Sequence, residues 1–302
     1  MQQSLPSGIY PPLPTFFTTQ DELDLATLRR HMLHIADSGI AGYVLMGTNG
    51  EAVHLTGDER AQVIVAAREV LESSGYSSMP LIAGCGDSST RVTIAHCQEA
   101  AHSGADFALI LPPFYYKGRM DSHSLIAHYH AVADSSPLPV LIYNMPASTA
   151  GLDLDAATIC TLAAHPNIIG VKDSAGNIAK LAQIVASAPP TFQVFAGNAG
   201  YLLPALVVGA VGAVSALANV FPEEVCAVQA LFEAGELEEA RLLQARLIPA
   251  NAAVTSIYSV PGLKAALELT AGYGGAPRMP LQPLTAQERT HLAELLRSVS
   301  AE

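Results

Sequence analysis

The chain has 302 residues, of which 50% are hydrophobic and only 14% charged, and its formal net charge is −12. No Lys/Arg-rich cluster or helix accompanies that acidic balance, so nucleic acid and anionic membrane surfaces are poor candidates as partners. The length admits one large domain or two smaller ones, and so apolar a composition can fill a large core and hide surface in an oligomer.

The cysteines Cys85, Cys97, Cys160 and Cys226 are widely spaced and form no CxxC pair. Reduced thiols in a cytoplasmic protein are expected. Residues 1–6 show neither a basic nor an apolar leader region, so no secretory signal is expected. Residues 202–221 are apolar enough to qualify as a membrane span by hydropathy. Pro204, Asn219, internal glycines and the absence of basic flanks favour a helix followed by a buried strand in a soluble protein.

Residues 8–15 open the chain as an extended, proline-stiffened segment. Residues 24–38 place Leu25, Leu28, Met32, Leu33 and Ile35 at helical spacing, and residues 41–47 read as a buried strand. Thr56, with Glu59 three positions on, predicts a capping box ahead of a helix over 58–73. Strands over 79–84, 106–111, 138–144, 167–174, 192–196 and 213–217 then alternate with helices over 90–103, 122–133, 155–164, 178–188 and 201–208. The strands are apolar runs without polar alternation, the pattern of a parallel sheet covered on both faces. With the opening segment they number eight, at a repeat near the roughly 30 residues of a βαβ unit. A closed (β/α)8 barrel fits better than an open doubly wound sheet, and no GxGxxG follows the first strand. Past residue 222 the pattern changes to helices over 223–234, 236–248, 264–271 and 285–298. The division is a catalytic barrel over 1–222 and a C-terminal helical extension over 223–302.

The chain contains only four lysines, Lys117, Lys172, Lys180 and Lys264. Lys172 ends the strand Ile168-Ile169-Gly170-Val171, and burial there disfavours an ammonium and favours a free amine. Such a lysine either snorkels its head into solvent or a salt bridge, or serves as a Schiff-base nucleophile. Catalytic groups of a barrel sit at the C-terminal ends of its strands. There the sequence places Gly47-Thr48-Asn49-Gly50-Glu51, a tight turn suited to a carboxylate. The next strand ends supply the aromatic lip Phe114-Tyr115-Tyr116, then Tyr143-Asn144-Met145-Pro146 one strand before Lys172. A phenol beside an amine can relay protons through carbinolamine formation and loss. Together these groups describe a pocket for an α-keto acid. The ten histidines offer no metal-site spacing, and no GxSxG or phosphate loop is present.

The set Gly47 to Glu51, Tyr115, Tyr143-Asn144-x-Pro146 and Lys172-Asp173-Ser174 resembles the dihydrodipicolinate synthase / N-acetylneuraminate lyase superfamily of class I, pyruvate-handling aldolases. The likeness spans nearly the whole chain. It implies a (β/α)8 TIM barrel with a helical extension, assembled as a homotetramer of two tight dimers, working without cofactor or metal. It further implies that Lys172 forms the Schiff base, Tyr143 shuttles protons, and Thr48 and Asn49 hold the carboxylate and connect the relay. Tyr115 is expected to reach a neighbouring subunit's site, and Gly197 and Val214 to line the pocket through backbone groups. The arginine that dihydrodipicolinate synthases carry two residues beyond Tyr-Asn-x-Pro is Ser148 here, which removes a bidentate carboxylate clamp. Segments at 8–12, 115–120, 151–154, 165–170 and 249–255 look like 4-hydroxy-2-oxoglutarate aldolases. Segments 51–56 and 273–278 resemble fungal 2-keto-3-deoxy-L-galactonate aldolases. The expected activity is cleavage of a 4-hydroxy-2-oxo acid to pyruvate and an aldehyde such as glyoxylate. The alternatives are a 2-keto-3-deoxy-sugar-acid aldolase, a dihydrodipicolinate synthase, and a keto-acid-binding sensor without turnover.

Overall fold

The computed structural model describes residues 4–299. Residues 1–3, on which half of the leader expectation rests, lie outside the described residues. The strands are β1 (Gly8–Tyr10), β2 (Tyr43–Leu45), β3 (Leu81–Gly84), β4 (Phe107–Ile110), β5 (Val140–Asn144), β6 (Ile168–Asp173), β7 (Gln193–Ala196) and β8 (Gly212–Val214). All neighbours pair in parallel, in the order β1-β8-β7-β6-β5-β4-β3-β2.

The ring closes between β1 and β2 by a thinner seam. Ala41 N–H donates to Ile9 O (2.8 Å), Val44 N–H to Pro11 O (3.0 Å) and Leu13 N–H to Val44 O (2.8 Å). Pro11 and Pro12 have no N–H to give, so regular pairing stops at Tyr10 and one bridge, Pro12 to Val44, completes the barrel.

Seven helices fill the crossovers: α1 (Leu25–Ile35), α2 (Gly57–Ser73), α3 (Thr90–His102), α4 (Ser122–Ser135), α5 (Ala156–Leu162), α6 (Ile178–Ser187) and α7 (Leu202–Val207). The Thr56–Glu59 capping box is present at α2. Asp24, Asp121, Asp155 and Asn177 cap α1, α4, α5 and α6 by accepting a backbone N–H three residues on.

The strands are buried on both faces, as their unbroken apolar composition requires. Outward side chains join the helices in one core. Inward ones, including Tyr10, Val44, Ile82, Leu109, Leu141, Ile169 and Phe195, fill the barrel interior. Tyr10 and Phe195 meet edge to face at 5.7 Å. This plug fills the barrel interior beneath the C-terminal strand ends.

The eighth outer helix is α8 (Pro222–Glu233), which packs on α7 and β1. The division expected at residue 222 therefore falls between β8 and its own helix. Beyond it come α9 (Leu237–Ala252), a π-turn at Ala253–Ile257, α10 (Ser259–Ala271) and α11 (Ala286–Leu296). Leu247, Val254, Leu263 and Leu292 share one hydrophobic core with barrel residues Ile35 and Leu217. The extension is thus continuous with the barrel.

Two helix ends differ from the sequence reading. Pro249 does not end α9, and α10 starts five residues before the expected Lys264. A mid-helix proline costs about 3 kcal/mol. Buried Leu247, Ala250, Ala253 and Val254 on either side of it offset that through several kcal/mol of apolar burial, and the π-turn takes up the break.

Candidate active site

Register decides whether Lys172 can be chemical at all. Val140 pairs with Ile168, but Leu141 pairs with Gly170, so Ile169 is one residue too many in β6. Side chains along a strand alternate faces, and an inserted residue reverses every one beyond it. The bulge therefore sets Lys172, not Val171, opposite Tyr143 on the interior face. Without it Lys172 would align with Asn144 and face the helices. A Cβ on Gly170 would lie 2.3 Å from Gln193 O, so a side chain cannot fit at the bulge.

Lys172 is 3% exposed, and its Nζ lies 3.7 Å from the centroid of the Tyr143 ring. The Tyr143 phenol is 3.2 Å from Thr48 Oγ1. Amine, phenol and hydroxyl thus form one chain across β6, β5 and the turn after β2.

The outward face of the same strand ends fixes that alignment. Asn144 Nδ2 donates to Asp173 Oδ2 (2.8 Å) and to Asp153 Oδ1 (2.6 Å). Lys180 Nζ stands 2.7 Å from Asp173 Oδ2 and 2.6 Å from Asp153 Oδ1. Asp173 and Asn144 are both fully buried, so each needs these partners. Tyr201 adds a third tie. Burial holds its phenol well above the usual range, and it donates to Asp173 O (2.5 Å) while accepting Gly197 N–H (2.9 Å).

The turn at Thr48 and Asn49 is closed by Gly50 N–H to Gly47 O and Glu51 N–H to Thr48 O. That leaves the turn's Thr48 and Asn49 N–H groups out of its internal bonding. A Cβ at Gly50 would sit 2.8 Å from Met46 N, which explains the second glycine.

A cavity of about 420 Å³ opens over this set, and Lys172, Tyr143, Thr48, Asn49, Ser148 and Gly197 all line it. Val214, expected to line the pocket through its backbone, is buried in the barrel interior, and Ala216 is the residue of that stretch that lines the cavity. Tyr115, expected in a neighbouring subunit's site, is 75% exposed on the rim and does not line this chain's own cavity. The sequence reading missed Thr255, Ser256 and Ser259, which reach the cavity from the extension. Their only sequence signal was a cluster of hydroxyl residues between two expected helices, and the π-turn that carries Thr255 and Ser256 leaves no pattern.

A second cavity of about 390 Å³ adjoins the first and shares Thr48, Tyr143 and Ser148 with it. Its remaining walls are mostly apolar, among them Met46, Ala52, Val53, Leu111 and Phe114. Among the described residues no group of three His, Cys, Asp or Glu could hold a metal ion. No helix there is long and apolar enough to cross a membrane.

The model of the dihydrodipicolinate synthetase family matches residues 5–299. This chain belongs to that family. Within it, the chain is 44% identical to a probable mitochondrial 4-hydroxy-2-oxoglutarate aldolase of Emericella nidulans, over 95% of this chain and 93% of that one. It is 38% identical to an L-threo-3-deoxy-hexylosonate aldolase of Hypocrea jecorina, over 97% and 96%. Among solved structures it superposes on a dihydrodipicolinate synthase of Bacillus anthracis with a TM-score of 0.91, at 29% identity and 99% coverage of both chains. The family's barrel and helical extension are therefore both present in this chain.

Proposed function

We propose that this member of the dihydrodipicolinate synthetase family is a class I aldolase, a carbon–carbon lyase that cleaves a 4-hydroxy-2-oxo acid to pyruvate and an aldehyde. One observation carries the reading: a buried lysine amine on the face of a phenol that is itself hydrogen-bonded to a threonine hydroxyl, inside the barrel mouth. Lys172 adds to the C2 carbonyl and loses water to give an iminium, which draws electrons as the C3–C4 bond breaks. Tyr143 takes the C4 hydroxyl proton in that step and passes it towards Thr48. The enamine left on Lys172 is protonated at C3, and water releases pyruvate. Thr48 and Asn49 hold the C1 carboxylate, with Gly197 on the wall opposite and Ser148 beside the departing aldehyde.

The name of the Emericella relative makes 4-hydroxy-2-oxoglutarate, with glyoxylate as the aldehyde, the first substrate to test. The second reading is a 3-deoxy-2-oxo sugar acid, as the Hypocrea relative is named for. It is favoured by a cavity whose only charged lining residue is Lys172 and whose lining also includes the polar Ser174, Asn198, Thr255, Ser256 and Ser259. A dihydrodipicolinate synthase is disfavoured by Ser148, which offers no cation to a second carboxylate. A panel of these substrates with detection of released pyruvate and glyoxylate decides among them. Pyruvate binding with no turnover on any of them would instead make the protein a sensor.

A homotetramer of two dimers fits the surface. Tyr115 and Tyr116 stack edge to face at 5.1 Å on the rim, both largely exposed. The apolar second cavity beside Thr48 and Tyr143 is a fitting berth for Tyr115 of another copy, whose phenol would extend the relay. The four free cysteines suit a reducing compartment, either the cytoplasm or the mitochondrion named for the Emericella relative.

A further inference from the structure

The turn that holds Thr48 and Asn49 is strained at both ends. Met46 and Glu51 have φ of 51° and 52°, a left-handed conformation that non-glycine residues rarely adopt. Such strain persists only where the surroundings over-determine it. At Glu51 the surroundings come from the extension.

The Glu51 carboxylate is 2% exposed, and its Oε1 lies 2.6 Å from Nζ of Lys264, a fully buried residue of α10. Its Oε2 accepts the backbone N–H of Arg278 (2.9 Å), 227 positions away in sequence, and meets His54 Nδ1 at 3.0 Å. The Arg278 guanidinium grips Glu59 at 2.7 and 3.0 Å and donates to the carbonyls of His54 (2.8 Å) and Asp21 (2.6 Å). Lys264 also donates to Ala276 O (3.0 Å), and a Cβ on Gly274 would sit 2.0 Å from Lys264 O. The tail after α10 is therefore laid directly on that helix and tied back to the turn. Segments 51–56 and 273–278 form one contact unit, two residues beyond Asn49.

We propose that Glu51, Lys264 and Arg278 are positioning residues, a clamp by which the C-terminal extension sets the Thr48 and Asn49 turn and so the site's affinity for the keto acid's carboxylate. The clamp touches no reacting atom. Burial lowers the pKa of Lys264, and the Glu51 carboxylate 2.6 Å away opposes that shift. Loss of the clamp lets the turn relax from its left-handed ends, and a displacement near 1 Å at a binding group costs on the order of 100-fold. A bracket that served stability alone would leave substrate saturation where it was.

This inference rests on the aldolase reading above. The test uses the full chain, with pyruvate and borohydride, and scores the pyruvate concentration that half-saturates trapping on Lys172. The Glu51→Gln/Lys264→Met double variant replaces the buried pair by neutral side chains of similar size, and Arg278→Met loosens the rim end alone. Each is expected to raise half-saturation about tenfold or more, with a smaller change in limiting yield, and Arg278→Lys to recover part of the shift. A folded variant, judged by melting, that saturates within twofold of wild type overturns the clamp. Should the double variant fail to fold, Arg278→Met decides by the same criterion. Wild-type protein that traps no pyruvate overturns the aldolase reading and the clamp with it, whereas wild-type trapping with unshifted variants overturns the clamp alone.

Discussion

Tyr143→Phe separates the chemistry of the phenol from its packing. The substitution keeps the ring 3.7 Å beneath Lys172 Nζ and deletes only the oxygen that meets Thr48 Oγ1 at 3.2 Å. One long hydrogen bond is worth about 1 kcal/mol net, so melting should shift by only a few degrees. A positioned proton donor and acceptor contributes roughly 100- to 10,000-fold to rate, about 3–5 kcal/mol of barrel-mouth transition-state stabilisation. The turnover number for pyruvate release should fall by that factor. Prolonged borohydride trapping with pyruvate should still mark Lys172, because the nucleophile and its carboxylate turn are intact. A variant that retains kcat within threefold of wild type refutes the relay. One that melts more than 10 °C lower shows that the phenol is chiefly structural.

Other consequences follow from the same geometry. Lys180→Met leaves Asp173 buried with only amide donors, and breaking a buried pair of this kind costs about 3–5 kcal/mol; differential scanning should show a melting point lower by on the order of 10 °C. Gly197→Ala would put a Cβ 1.9 Å from Ser174 Oγ and 2.7 Å from Asp173 O, so the end of β6 must move. Its turnover should drop about 100-fold, with roughly 1–3 kcal/mol of lost stability in denaturant titration. His31 is buried between Tyr273 and Asn219, and burial lowers its pKa from 6.5 to about 4. The unfolded chain therefore takes up a proton below pH 6.5 that the native imidazole refuses. Its contribution is complete above 6.5 and is lost as pH falls towards 4, in total about 3 kcal/mol. The stability difference between pH 7 and pH 4 should shrink by that order in His31→Gln.

The barrel was legible because its strands are unbroken apolar runs that alternate with helical spacing, and the Thr56–Glu59 capping box marked one helix start outright. Lys172, Tyr143 and Thr48 were legible for a related reason: each stands at the end of an apolar run, where a polar residue needs an explanation. What placed Lys172 on the interior face was not legible. The extra residue Ile169 reveals itself only against β5, and the single local hint is Gly170, since a glycine inside a strand can mark a bulge. The end of β8 was read as 217 in sequence, but its pairing with β1 and β7 stops at Val214, and Ala216 just beyond it lines the cavity. Thr255, Ser256 and Ser259 were hidden by Pro249, which reads as a helix stop in sequence while packing of both flanks carries α9 through it. Lys264 looked like an ordinary helix residue, and only the fold shows its amine buried against Glu51.

The central claim is that the Lys172 amine is the nucleophile, and reductive trapping tests it most directly. Incubation with pyruvate and borohydride followed by peptide mass analysis should find one reduced pyruvyl adduct, on Lys172, and none in Lys172→Ala, which should also lose retro-aldol activity. An adduct on Lys117, Lys180 or Lys264 instead, or wild-type turnover in Lys172→Ala, would contradict the account.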